Sequence, residues 1–223
     1  MFIGHFGAGL VGKKLAPELN LGALFLACQL PDLIWPVFVL LGIEHVSVDY
    51  SATLVTPLNF SFYPYSHSLV ASLFYSVIAG LIVWRLLRSA KAAIVLGAIV
   101  FSHWILDFIT HRPDLPIFLN GEKFGLGLWN SLWGTLLVEV GIFVLGIVLY
   151  VKASPAMNRK RKLIFWSAIA FMSVIYMGNV FGPKAPLEAP PAAIAAPALA
   201  MWLFVIWAYY ADRGQNESGA GLK

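Results

Sequence analysis

Residues 101–115, FSHWILDFITHRPDL, close an apolar run that begins near residue 92. A run of about twenty apolar residues is the length a helix needs to cross the hydrocarbon of a bilayer. This one carries His103, Asp107 and His111 at positions i, i+4 and i+8. At about 100° per residue the three fall within an arc of about 80°, on one face of a helix. An ionisable side chain at membrane depth costs about 2.5–3.5 kcal/mol on insertion scales, so three on one face need a reason. Neutral imidazole and carboxylate both suit a borderline divalent ion, and a histidine one turn from a carboxylate makes a natural ligand pair. The competing reading is a packed histidine–carboxylate pair that only holds helices together.

Composition extends the membrane reading to the whole chain. Of its 223 residues 60% are hydrophobic and 12% charged, about half the charged share of an ordinary soluble domain. The net charge of +4 would fit nucleic acid, but the basic residues sit in the connections between apolar runs. That is a topological bias, not a basic groove, and it excludes nucleic acid as the partner. Cys28 is the single cysteine, so no internal disulfide forms. No cleavable signal is expected, because the first apolar segment precedes its lysines.

The chain reads as one integral membrane domain, 1–223, of all-α class: a polytopic helical bundle of about six spans behind an N-terminal arm. Residues 1–12, MFIGHFGAGLVG, are too short to span and end at Lys13 and Lys14; they predict a half-helix or re-entrant arm. The first span, about 20–42, is interrupted by Pro31 and Pro36 with Asp32 between them, and it should break beside that carboxylate. Residues 43–66 read as a loop. The remaining spans fall at about 68–87, 92–111, 129–151, 163–182 and 196–211, with a proline-rich connection before the last and a polar tail after it. Basic residues concentrate around 13–14, 85–91 and 152–162, which places both termini on the cytoplasmic side.

Depth then gathers the ionisable residues. At 1.5 Å per residue Asp32 lies about 18 Å from the cytoplasmic start of its span, near the midplane. His103 falls at a similar height, with Asp107 and His111 further out. Glu139 descends about 15 Å from the outer side, His67 sits at the outer end of the second span, and His5 reaches the midplane from below. His45, in the loop, falls outside this layer. Three or more His/Asp/Glu ligands with an open position hold a divalent ion and turn water into a nucleophile near neutral pH. Zinc is the first expectation, with manganese and iron left open by the ligand types. Cys28 reads as packing.

GHFGAGL, QLPDL, YSHSL and SHWILDFIT together resemble the membrane-bound, metal-dependent hydrolase family described as LexA-regulated inner-membrane hydrolases, over residues 1–115. That family is distantly similar to zinc-dependent phospholipase C and its allied single-strand nucleases. The resemblance implies Asp32, His67, His103 and Asp107 as ligands of one metal, His5 with a bridging Asp107 at a second, and His111 and Glu139 where a further ion binds in the soluble relatives. Three departures weigh against a third ion: Ile34 replaces a second acid, Phe62 replaces a histidine, and Thr135 stands where a ligand histidine precedes Glu139.

The expected function is metal-assisted hydrolysis of an ester or phosphodiester in a lipid or lipid-linked substrate, at a bacterial inner membrane. Asp32 and Glu139 are the candidate catalytic carboxylates, and Arg112 and Asn130 the candidate substrate contacts. Membrane lipid is the partner, and no protein partner is implied. A transporter or channel for protons or divalent cations could use the same residues, and a structural metal would predict a closed, fully coordinated site.

Overall fold

The computed structural model describes residues 1–154 and 157–213; the polar tail beyond 213 and part of the 152–162 basic connection lie outside the described residues. In chain order, α1 (Ile3–Leu15) is the short arm. Helices α2 (Leu21–Cys28) and α3 (Leu30–Leu40) form one broken segment bent by 55°. The break falls at Gln29, immediately before Leu30 and Pro31. Proline has no N–H to give and a φ already set for a helix start, so it ends one helix and opens the next.

The stretch expected to be a loop carries an antiparallel hairpin, β1 (His45–Val48) with β2 (Leu58–Phe62), and one helical turn, α4 (Pro64–His67). Helices α5 (Leu69–Leu87) and α6 (Ala90–Thr110) are joined by a tight reversal in which Arg88 takes φ 53°. A loop with the minimal pair β3 (Leu115–Pro116) and β4 (Lys123–Phe124) and a 3-10 turn at Leu128–Asn130 leads to α7 (Leu132–Ala153). Then come α8 (Arg159–Phe181), α9 (Pro191–Ala198) and α10 (Met201–Asp212). The last span therefore starts at residue 191 instead of 196. Pro191 occupies the first turn of α9, where proline initiates a helix.

The chain is a helical membrane protein. Among the described residues, five helical segments are long and apolar enough to cross a bilayer: α5, α6, α7, α8 and the stretch Pro191–Asp212. The bent pair makes six if it counts as one span. Polar caps start four of the five, α5 to α8. Side chains of Ser68, Ser89, Ser131 and Asn158 accept the backbone N–H groups of Ala71, Ala92, Gly134 and Arg161, satisfying donors that a helix leaves open. Phe74, Val77, Leu81 and Leu86 of α5 stay exposed, as a lipid-facing surface requires.

Two apolar clusters bracket the polar residues. The larger packs Phe6 and Leu10 of α1 with Leu24 and Phe25 of α2, Ile99 and Val100 of α6, and Phe143 of α7. The smaller gathers Trp35, Val39, Val46, Tyr63, Leu115 and Ala195, with Trp104 and Phe108 of α6 against it. His103 and Asp107 lie on α6 where one cluster gives way to the other. The arm reaches this level because α1 and α7 cross at glycines. A Cβ on Gly7 would meet the Ile142 carbonyl oxygen at 2.7 Å, and one on Gly146 would strike the Gly7 carbonyl. Only glycine permits backbones to approach this closely inside a bilayer.

Candidate metal centre

Five side chains from four parts of the chain meet. Asp107 and His103 come from one face of α6, Asp32 from the first turn of α3, His67 from the end of α4 and His5 from the arm. His103 Nε2 lies 3.1 Å from Asp107 Oδ2 and 3.7 Å from Asp32 Oδ1. His67 Nε2 lies 3.2 Å from Asp32 Oδ1 and 3.8 Å from Asp107 Oδ2. His5 Nε2 lies 3.1 Å from the other oxygen, Asp107 Oδ1, and His111 Nε2 approaches that same oxygen at 4.0 Å. Two groups have ligand atoms that all converge: His5 with His103 and Asp107, and Asp32 with His67 and His103.

Asp107 therefore faces two histidine sets with its two oxygens. Oδ2 meets His67 and His103, which also share Asp32; Oδ1 meets His5 and His111. Asp32 is the cluster's opening, since its side chain is 21% exposed while that of Asp107 is 2% exposed.

The donor set fits a divalent cation on charge and on proton placement. His103 Nδ1 is 2.7 Å from the Cys28 carbonyl oxygen. A carbonyl only accepts, so the Nδ1 proton is there and a neutral His103 turns a bare Nε2 lone pair to the carboxylates. That Nε2 is fully buried and makes no hydrogen bond among the described residues. Charging both His103 and His5 instead would stack two imidazolium rings, whose centroids are 3.7 Å apart. The Met1 amino group donates to Asp107 Oδ1 at 2.6 Å and supplies one positive charge against two carboxylates. The pocket bounded by Asp32, His67, His103 and Asp107 Oδ2 receives none of it directly. A cation there would have the converging ligand atoms of Asp32, His67 and His103 as partners, with Asp107 Oδ2 beside them.

The other expected residues take distinct places. His111 has left the helix: it caps α6 with ψ 147°, so it is not the third residue of a helical face. Its Nδ1 is 2.9 Å from Asp114 Oδ1, and the Tyr63 hydroxyl donates to the same oxygen at 3.1 Å. Burial opposes charge on Asp114, but hydrogen bonds from His111, Arg112 and Tyr63 outweigh it and hold the carboxyl below its ordinary range. Arg112 donates to Asp114 Oδ2 at 3.2 Å and to Asn59 Oδ1 at 2.6 Å. Glu139 belongs to neither convergent group; its Oε2 accepts the Phe2 and Gly4 backbone N–H groups at 2.8 and 3.4 Å. It holds the start of the arm. Asn130 is exposed at the end of the 3-10 turn.

Sequence reasoning missed Glu44, Ser66 and Tyr63. Glu44 reads as loop polarity, yet it is 1% exposed and clamps Ser66 beside His67. No local signal separates a buried glutamate in a loop from a solvated one. The Tyr-Ser-His order at 65–67 marks the histidine, but the partner of Ser66 lies 22 residues upstream. No protein-family profile, curated protein or solved structure matches the chain.

Proposed function

We propose that this protein is a membrane-embedded, metal-dependent hydrolase acting on an ester or phosphodiester bond of a lipid or lipid-linked substrate. The observation that carries the reading is the division of Asp107 between two histidine sets in a buried cluster whose most exposed member is Asp32. Asp32, His67, His103 and Asp107 Oδ2 would hold one ion; His5, His103 and Asp107 converge as a second group, where Asp107 Oδ1 also accepts the Met1 amino group. Zinc suits the nitrogen and oxygen donors. A divalent ion so bound supplies Lewis acidity and lowers the pKa of water to about 7. Asp32, at the open edge, meets the incoming substrate and takes up a proton there. Arg112, oriented by Asn59 and Asp114, is positioned beside His111 for an anionic headgroup. Glu139 keeps the arm, and with it His5, in place.

A cluster carried partly on an apolar helix long enough to cross a bilayer, α6, favours substrates carried by the bilayer. The basic connections support cytoplasmic termini at a bacterial inner membrane. The test is turnover of a panel of phospholipids and polyprenyl-linked phosphodiesters by purified protein, with and without added zinc. Metal-stimulated release of a headgroup that is lost in His103→Ala supports the reading. Absence of any hydrolysis across the panel by zinc-loaded protein counts against it.

One observation favours a second reading, cation or proton transport: the 55° break between α2 and α3 lies three residues before Asp32, and broken helices line transport sites. Zinc uptake into proteoliposomes without ester turnover would select it.

A further inference from the structure

Four groups from three places, Asp32 of α3, Glu44 just beyond it and the adjacent Ser66 and His67 of α4, form one unbroken chain of polar contacts. Glu44 Oε1 accepts the Ser66 backbone N–H at 2.8 Å, and Glu44 Oε2 accepts the Ser66 hydroxyl at 2.6 Å. Ser66 Oγ is 2.7 Å from His67 Nδ1. His67 Nε2 faces Asp32 Oδ1 at 3.2 Å. Glu44, Ser66 and His67 are all buried, and the direction of each hydrogen bond follows from the protons available.

Glu44 receives two donors from one residue, the amide and the hydroxyl of Ser66. Each donor meets its own carboxylate oxygen. The hydroxyl has a single proton. Spent on Glu44, it leaves Ser66 Oγ only as an acceptor towards the ring. His67 Nδ1 must then carry the proton, and the neutral imidazole presents its Nε2 lone pair to the cluster. His103 reaches the same state by a different route, through the Cys28 carbonyl. The backbone keeps Glu44 in position, because its N–H bonds the Phe38 carbonyl at 3.2 Å, beyond the positive-φ turn at Gly42 that ends α3. The glutamate is thereby tied to the same helix that carries Asp32.

We propose that Glu44, acting through Ser66, is a positioning residue that fixes His67 with its proton on Nδ1 and so makes Nε2 a metal ligand. The inference rests on the reading of the cluster as a metal centre. Outer hydrogen bonds of this kind orient a ligand histidine and raise its basicity, and their loss lowers metal affinity about 10–100-fold. Glu44→Gln is the discriminating change because it keeps size and shape. Its amide nitrogen would donate to Ser66 Oγ, turning the hydroxyl proton towards His67 Nδ1. The ring proton then moves to Nε2, where it blocks ligation.

The experiment uses full-length protein in detergent, with zinc as the probe. Zinc affinity is measured by competition with a chromophoric chelator for wild type, Glu44→Gln and Ser66→Ala. Histidine 15N shifts by solid-state NMR, with the His67 signal assigned by its loss in His67→Gln, give the ring's protonation site before and after zinc. Both variants should remain folded without zinc, with a cooperative melt, bind zinc about 10–100-fold more weakly, and show His67 shifted away from the Nδ1–H form. Should Glu44→Gln fail to fold, Ser66→Ala carries the same comparison. Wild-type zinc affinity and an unchanged His67 signal in the variants would overturn the role of Glu44 while leaving the metal centre standing. A wild type that binds no zinc would overturn both.

Discussion

The rings of His5 and His103 lie face to face, with centroids 3.7 Å apart and planes 8° from parallel. They come from the arm and from α6, and each points Nε2 at a different oxygen of Asp107. Two stacked imidazolium ions would repel in a medium of low dielectric, so at least one ring of the stack is neutral and has a nitrogen lone pair to offer a cation. His5→Phe keeps a flat ring in the stack and removes one ligand. It should reduce the zinc bound at saturation relative to wild type while binding at Asp32, His67 and His103 persists. Zinc titration by calorimetry distinguishes this from an unchanged stoichiometry, which would remove His5 from the centre.

The arm depends on a glycine crossing, and that dependence is measurable. Gly146→Val forces a side chain against the Gly7 carbonyl. Overpacking of this type costs about 1–3 kcal/mol, and displacing α1 withdraws His5. The variant should melt lower than wild type and hold less metal. Full metal content in a destabilised Gly146→Val would show that the arm's position does not matter to the site.

A second buried ionic network ties the opposite end of the arm. Lys13 Nζ donates to Asp212 Oδ2 at 2.6 Å and to the Leu19 carbonyl at 2.8 Å; the same Asp212 oxygen accepts the Leu21 N–H at 2.9 Å. Tyr150 donates to the other Asp212 oxygen at 3.3 Å, and Arg161 lies 3.9 Å from it. Removing one partner leaves a buried charge, so Lys13→Met should destabilise the protein by about 3–5 kcal/mol. Lys13→Met with Asp212→Leu should recover much of that loss. Thermal melts of the two variants make the comparison, and a double variant no more stable than the single one would show that Asp212 matters through its backbone and Tyr150 contacts instead.

Much of this arrangement is legible from residue spacing. The one-turn separation of His103 and Asp107 places both on one face, and Pro31 marks the break that turns Asp32 inward. Counting depth along the spans brings His5 and His67 to the same layer. Three features escape such reading. The alternation in His45–Val48 and Leu58–Phe62 is a strand pattern, masked by surrounding prolines and a glycine that read as a loop. Helix periodicity carries His111 one residue past the end of α6, where its backbone turns extended ahead of Pro113. Glu139 shares the depth of the cluster but spends an oxygen on the arm's backbone. Depth ranks a residue by height and says nothing of the direction its side chain takes.

The central claim is that a cation sits among Asp32, His67, His103 and Asp107. Elemental analysis of detergent-purified protein, beside His103→Ala/Asp107→Ala prepared identically, tests it most directly. The account predicts about one or two equivalents of a transition metal in wild type and loss of that metal in a variant that remains folded. Wild type carrying no more metal than the double variant would contradict it, and the cluster would then be a set of buried histidine–carboxylate ion pairs.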